Sequence, residues 1–199
     1  MTDDVFAVVH RQRACRAFAD VPVPDHEIER ILDAAVHAPS AENRQPWEFV
    51  VVRDADTRAA LAALAHRAWE AGGREAERDR LAPALFADVD RGMTGGFATA
   101  PVMIVVCADN ERGLPATASE SVYPAVQNLL LAATALGLGS ALTTITRAFG
   151  AETRSLLGLP EHVAPMAMIP IGRPIRPLGP PRRDPFEQHT HRDRYGEAW

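Results

Sequence analysis

Three clusters in this sequence carry residue types able to do chemistry, and they lie far apart along the chain. The first is Arg11-Gln12-Arg13-Ala14-Cys15-Arg16-Ala17-Phe18. Arginine presents a planar fork of N–H donors that matches phosphate oxygens in pairs. The same run also reads as a solvated basic turn. The second is Ala38-Pro39-Ser40-Ala41-Glu42-Asn43-Arg44-Gln45-Pro46-Trp47, which sets a hydroxyl and two side-chain amides on a loop between two prolines. Such groups donate to the carbonyls and nitrogens of a flat heterocycle, or they satisfy the backbone of a helix-to-strand connection. The third is Pro180-Pro181-Arg182-Arg183-Asp184-Pro185, a further phosphate-capable arginine pair in an extended segment.

No self-sufficient catalytic constellation competes with these clusters. Ser40 lacks the glycine-flanked turn of an elbow nucleophile, and neither Cys15 nor Cys107 has a readable base partner. Gly137-Leu138-Gly139 is too short for a dinucleotide fingerprint and opens no helix. His189 and His191 sit two apart in the tail without metal-ligand spacing, so no metal is expected. An enzyme with such residues needs reactivity supplied by a cofactor.

Composition bounds the rest. A chain of 199 residues, 47% hydrophobic and 24% charged, suits one domain with a real core. The formal charge of −5 argues against nucleic acid or an anionic membrane as partner. Two distant cysteines make no disulfide framework, the first residues Met1-Thr2-Asp3-Asp4 are acidic, and no apolar run of about 18 residues occurs. A soluble cytoplasmic protein is expected. Lysine is absent, so arginine supplies the positive charge.

The elements that must position the clusters follow from patterning. Asp3 to Arg11 reads as a short helix with Asp in its first turn. Pro22-Val23-Pro24-Asp25 opens a second, with Ile28, Ile31, Leu32 and Ala35 on one stripe, ended by Pro39. Phe49-Val50-Val51-Val52 reads as a buried strand, and Asp56 to about Gly72 as a helix. Gly73 to Gly96 lacks clean periodicity and reads as a mobile excursion with one short helix, a candidate lid over 73–97. Val102 to Cys107 is a second strand, Ser119 to Leu136 a long helix stopped by Gly137-Leu138-Gly139. Ala141 to Thr144 and Ala164 to Ile171 read as strands, Ala151 to Leu157 as a short helix. From Arg173 the chain is rich in Pro and Arg; it is either disordered or laid along another subunit.

Arg13-Ala14-Cys15-Arg16-Ala17-Phe18, then Val21-Pro22-Val23-Pro24, then Pro39-Ser40-x-x-Asn43-x-Gln45-Pro46-Trp47-x-Phe49-Val50-Val51-Val52 resembles the N-terminal half of nitroreductase-family flavoproteins. Pro124-Ala125-Val126-Gln127-Asn128 through Gly139 is similar to the long central helix of that family. Pro181-Arg182-Arg183 with His191-Arg192-Asp193-Arg194-Tyr195-Gly196 is similar to the tail of one branch of it. The resemblance implies an α/β (α+β) fold in one domain over 1–199, with a central, mostly antiparallel sheet flanked by helices. It implies an intertwined homodimer in which the extended tail, 173–199, wraps the partner subunit.

It also implies FMN at the subunit interface. Gln12, Arg13, Ala14 and Arg16 would hold its phosphate and ribityl chain, with Arg182 or Arg183 assisting. Pro39, Ser40, Ala41 and Asn43 would line the isoalloxazine from the partner chain, with Gln45 close by. Leu142-Thr143-Thr144-Ile145 matches the stretch whose backbone approaches the flavin N5 edge. Many members carry Arg-Ser where this chain has Arg13-Ala14, and some carry an acidic residue where it has Thr144. Trp69, Phe86 and Phe97 read either as walls of the substrate pocket or as core packing. The implied reaction is ping-pong reduction of a small electron-poor acceptor, nitroaromatic or quinone-like, by NADH or NADPH. The rivals are an FMN-dependent oxidase, dehydrogenase or dehalogenase acting on a small metabolite, and a flavin-binding protein without turnover.

Overall fold

An apolar strand with no polar interruption is stable only if both of its faces are covered, and Val102–Asp109 is such a strand, buried along its whole length. The computed structural model of the chain describes residues 4–199, so Asp3 lies outside the described residues. Among the described residues, four strands form one antiparallel sheet in the order β1-β2-β4-β3. They are β1 (Trp47–Val52), β2 (Val102–Asp109), β3 (Gly139–Ser140) and β4 (Val163–Gly172).

Side chains alternate across the sheet, and the two faces meet different partners. On one face Val102, Ile104 and Val106 pack with Ile28, Ile31 and Ala35 of α2 (Asp25–Val36) and with Val122, Val126 and Leu129 of α6 (Ala118–Ala135). On the other, Met103, Val105 and Cys107 pack with Leu61 and Ala65 of α3 (Ala55–Ala68), and with Phe97 and Met168. Truncating Ile104 to Ala in this setting would cost about 2–5 kcal/mol. The expected stripe on α2 is realised, with Leu32 at its margin. Asp54 caps α3: its carboxylate accepts from the Thr57 backbone N–H at 2.8 Å and from the Thr57 hydroxyl at 2.6 Å. These bonds hold its pKa below the ordinary 3.8.

The structure corrects several expectations. β1 is the edge strand of the sheet, and Val51 is exposed, so the Phe49–Val52 run is half-covered rather than buried. The first helix, α1 (Val5–Arg11), starts after Asp4, which accepts from the Phe6 N–H as its cap. Where a strand over 141–144 was expected, β3 ends at Ser140 and only Thr143 bridges Met168. The chain then turns into α7 (Ile145–Ala148) and α8 (Gly150–Leu157). The 73–96 stretch contains two helices rather than one, α4 (Arg74–Arg78) and α5 (Pro83–Met93). Pro83 at the first turn of α5 suits a helix start, because its missing N–H would be unpaired there anyway.

Two close approaches fix the N-terminal segment on this frame. The Cys15 N–H donates to the Ser140 carbonyl at 2.8 Å, and Ala14 bridges Ser140 in parallel. A Cβ on Gly139 would lie 2.6 Å from the Cys15 Sγ, so only glycine lets the two backbones come so near.

Candidate functional site

The pairing of Ala14 with β3 carries Gln12, Arg13 and Arg16 to one side of the sheet end. There they line a cleft of about 330 Å³ with Leu85 of α5, Leu130 of α6, Leu142, Pro181 and Arg183. Three guanidinium-bearing positions from residues 13, 16 and 183 thus share one cavity with an apolar wall of leucines. The expected triplet Gln12, Arg13, Ala14 and its neighbour Arg16 are brought together with Leu142 and with Arg183. Arg182 faces a neighbouring recess with Arg183, Asp184 and His189.

Each arginine is already anchored by one arm. Arg13 donates from Nη1 to the Gly179 carbonyl at 3.0 Å, tying the N-terminal segment to the start of the tail. Arg16 donates from Nη1 to Asp88 Oδ2 at 2.8 Å. Arg183 donates to the Arg182 carbonyl at 2.8 Å. A guanidinium has five donors, so each keeps capacity for an anion. A phosphate among the arginines and a flat ring against the leucines fit this donor set, and FMN combines both features.

The second cluster lies elsewhere on the same chain. Pro39, Ser40, Ala41, Asn43 and Gln45 do not contribute to that cleft. The Ala41 N–H donates to Ser121 Oγ at 3.1 Å, near the start of α6, whereas Leu130 lines the cleft. At a rise of 1.5 Å per residue these points are about 13 Å apart along the helix. The loop is internally braced: Gln45 N–H donates to Ser40 Oγ at 3.0 Å, and the Gln45 side-chain amide donates to Asn43 Oδ1 at 3.2 Å. Glu42, Asn43 and Gln45 all have positive φ, near 50°, a conformation costing non-glycine residues roughly 1–2 kcal/mol each. Ala41, Asn43 and Gln45 are exposed.

What holds that strained loop was not evident from the sequence. Asp109, at the end of β2, donates its backbone N–H to the Pro46 carbonyl at 2.7 Å. Its buried carboxylate accepts from the N–H groups of Glu111 and Arg112 and from Arg112 Nε at 2.8, 3.2 and 2.9 Å. Arg112 pairs in turn with Glu48 and reaches the Gln45 carbonyl at 3.5 Å. Gly113 presses so close on Pro46 that a Cβ there would sit 2.6 Å from the proline Cβ.

Thr143 exchanges backbone hydrogen bonds with Met168, at 3.1 and 2.8 Å. This fixes the 142–145 stretch beside the arginine segment and leaves Leu142 exposed. Among the three aromatics, Trp69 and Phe97 are 3% exposed and belong to the interior, which favours the core-packing reading for both. Trp69 spends its indole N–H on Asp90 Oδ1 at 2.8 Å. Phe86 lies half-buried with its ring 5.9 Å from that of Trp69. Both cysteines are buried and free; desolvation raises the Cys15 pKa and lifts that of Cys107 to about 12. They stay protonated near neutral pH and are poor nucleophiles. Among the described residues no group of His, Cys, Asp and Glu could hold a metal ion, and no helix is long and apolar enough to cross a membrane.

Comparison with known proteins bears on this arrangement. A family model described as Nitroreductase family matches residues 9–173. A Thermus thermophilus protein named NADH dehydrogenase is 33% identical over 193 residues, spanning 89% of this chain and 90% of its own. Iodotyrosine deiodinase 1 of Rattus norvegicus is 28% identical over 189 residues, spanning 88% of this chain and 64% of that protein. Among solved structures, the NADPH:FMN oxidoreductase of Vibrio harveyi complexed with NAD+ aligns with a TM-score of 0.74 at 24% identity. That alignment covers 98% of this chain and 79% of the other, and it is a likeness of fold.

Proposed function

This chain belongs to the nitroreductase family of FMN-dependent, NAD(P)H-using oxidoreductases, and on that premise we propose that it reduces small electron-poor acceptors, nitroaromatic or quinone-like. The observation that carries the reading is the cleft in which Arg13, Arg16 and Arg183 converge beside Leu85, Leu130 and Leu142. FMN, when bound, would supply two-electron redox chemistry between NADH or NADPH and the acceptor. The chain's own residues bind and orient. Arg13, Arg16 and Arg183 take the phosphate by charge-assisted hydrogen bonds, and the Ala14 backbone amide adds a donor where a hydroxyl is missing. The leucines exclude water from one side of the ring, and Gln12 with the 142–144 backbone frames its edge. No side-chain acid or base is invoked.

In this reading the loop Pro39–Gln45 serves the site of a second copy, in a homodimer. Two features support it. The loop sits about 13 Å along α6 from the arginine cleft of its own chain. Val5, Phe6 and Val9 on α1, and Ile175, Phe186 and Trp199 in the tail, are exposed apolar residues of the kind an interface covers.

The deiodinase relative supports a second reading, FMN-dependent reductive dehalogenation of an aromatic substrate. One experiment separates them. The purified protein is expected to be yellow, absorbing near about 370 and 450 nm as oxidised flavin does. NADH or NADPH should then be consumed with a nitrofuran or quinone but not with iodotyrosine. Bound FMN with turnover of iodotyrosine alone would favour dehalogenation, and a colourless protein that refuses FMN would end both.

A further inference from the structure

Arg16, assigned above to the cofactor phosphate, is not held by its own neighbourhood. It is held by the 83–99 stretch, far along the chain, with Asp88 72 residues later. Its Nη1 donates to Asp88 at 2.8 Å, in a pair whose side chains are only 20% and 26% exposed. Asp88 is itself steadied by Arg91, at 3.3 Å. The arginine stem lies against α5 where the helix surface is cut away: a Cβ on Gly92 would stand 2.8 Å from Arg16 Cδ and 3.0 Å from its Cβ. The Arg16 carbonyl lies where a Cβ on Gly96 would come within 2.2 Å. One segment therefore supplies the charge partner, the groove for the stem and the space for the backbone of a single arginine.

That segment is anchored in turn. Asp90 accepts from the buried Trp69 indole at 2.8 Å and pairs with Arg74 Nε at 3.0 Å. The stretch that the sequence presents as a free excursion is thus fastened at its core-facing side and carries Arg16 on its surface.

We propose that Asp88 and Gly92 are positioning residues for the cofactor site: they fix the Arg16 guanidinium so that its remaining donors face the phosphate. The inference rests on the reading that Arg16 binds that phosphate. An arginine held by one arm loses less rotamer freedom when the phosphate binds, so the complex is tighter. Removing the Asp88 charge frees the guanidinium. Adding a methyl at Gly92 displaces the stem, although alanine for glycine within a helix ordinarily favours the helix. Rescue by Asp88→Glu separates positioning from plain structural support.

The test is titration of the flavin-stripped protein with FMN, followed by quenching of flavin fluorescence, with the thermal midpoint of each apoprotein measured alongside. Arg16→Ala should weaken FMN binding by about tenfold or more. Asp88→Asn should weaken it by about fivefold and Gly92→Ala by about threefold. Asp88→Glu should restore most of the affinity lost in Asp88→Asn. If Arg16→Ala loosens FMN while Asp88→Asn and Gly92→Ala bind as wild type, or if Asp88→Asn binds FMN more tightly, the inference falls and the cofactor reading stands. If Arg16→Ala itself leaves the affinity unchanged, the assignment of Arg16 to the phosphate is what fails.

Discussion

Between Gln12 and Arg16 the chain runs beside β3 with its guanidinium groups anchored by single bonds, each with donors left over. Between Ser40 and Gln45 it folds back on itself, and the hydroxyl and amides that could face a ligand are partly engaged with each other. The first region has ordinary backbone geometry and unspent charge; the second stores strain at Glu42, Asn43 and Gln45 and depends on Asp109 and Gly113 to keep it. The contrast separates two ways of preparing a surface for a ligand. One keeps flexible cations poised, and the other makes a rigid shape and braces it from behind.

Substitutions in the two regions should therefore be read by different instruments. The largest expected effect is on ligand affinity: Arg13→Ala should weaken FMN retention by about 1.5–3 kcal/mol, measured by fluorescence titration, with little change in melting. An unchanged dissociation constant would remove the poised-cation side of the contrast. Asp109→Ala removes a carboxylate that accepts from the Glu111 and Arg112 N–H groups and pairs with Arg112, and should lower unfolding stability by about 1–3 kcal/mol, measured by urea denaturation of the apoprotein. If stability holds while affinity drops, the brace is not what keeps the loop in shape. Ser40→Ala removes the acceptor for the Gln45 N–H in an exposed loop and should cost about 0.5–1.5 kcal/mol, seen as a small shift of the urea midpoint. A shift as large as that of Asp109→Ala would place the bracing within the loop rather than behind it.

Much of this was legible in the residues. The unbroken apolar run at Val102, the 3.6-residue stripe of Ile28, Ile31 and Ala35, and the long helix ending at Gly137 follow from local patterning, and each is found. The arginine segment was legible by residue type, since few side chains other than arginine fit a phosphate in pairs. What stayed hidden was set by tertiary pairing. The edge position of β1 depends on which strands lie next to it. The two-residue β3 depends on Gly172 and Ile171 as partners. Leu85 and Leu130 enter the cleft from helices whose own periodicity gives no hint of a ligand. The link from Arg16 to Asp88 spans 72 residues, and nothing local to either announces the other. Nothing local to Asp109 announces the Pro46 carbonyl that its backbone N–H meets.

The contact between Gly139 and Cys15 has a consequence for how this protein can change. The backbone of Ala14, which bridges Ser140, sits one residue from a sulfur packed against bare Cα. Any side chain arriving at 139 would act as a wedge, lifting the N-terminal strip off the sheet and carrying the cation row away with it. Mutational drift and protein engineering alike would find that door shut at 139, although the residue carries no side chain of its own.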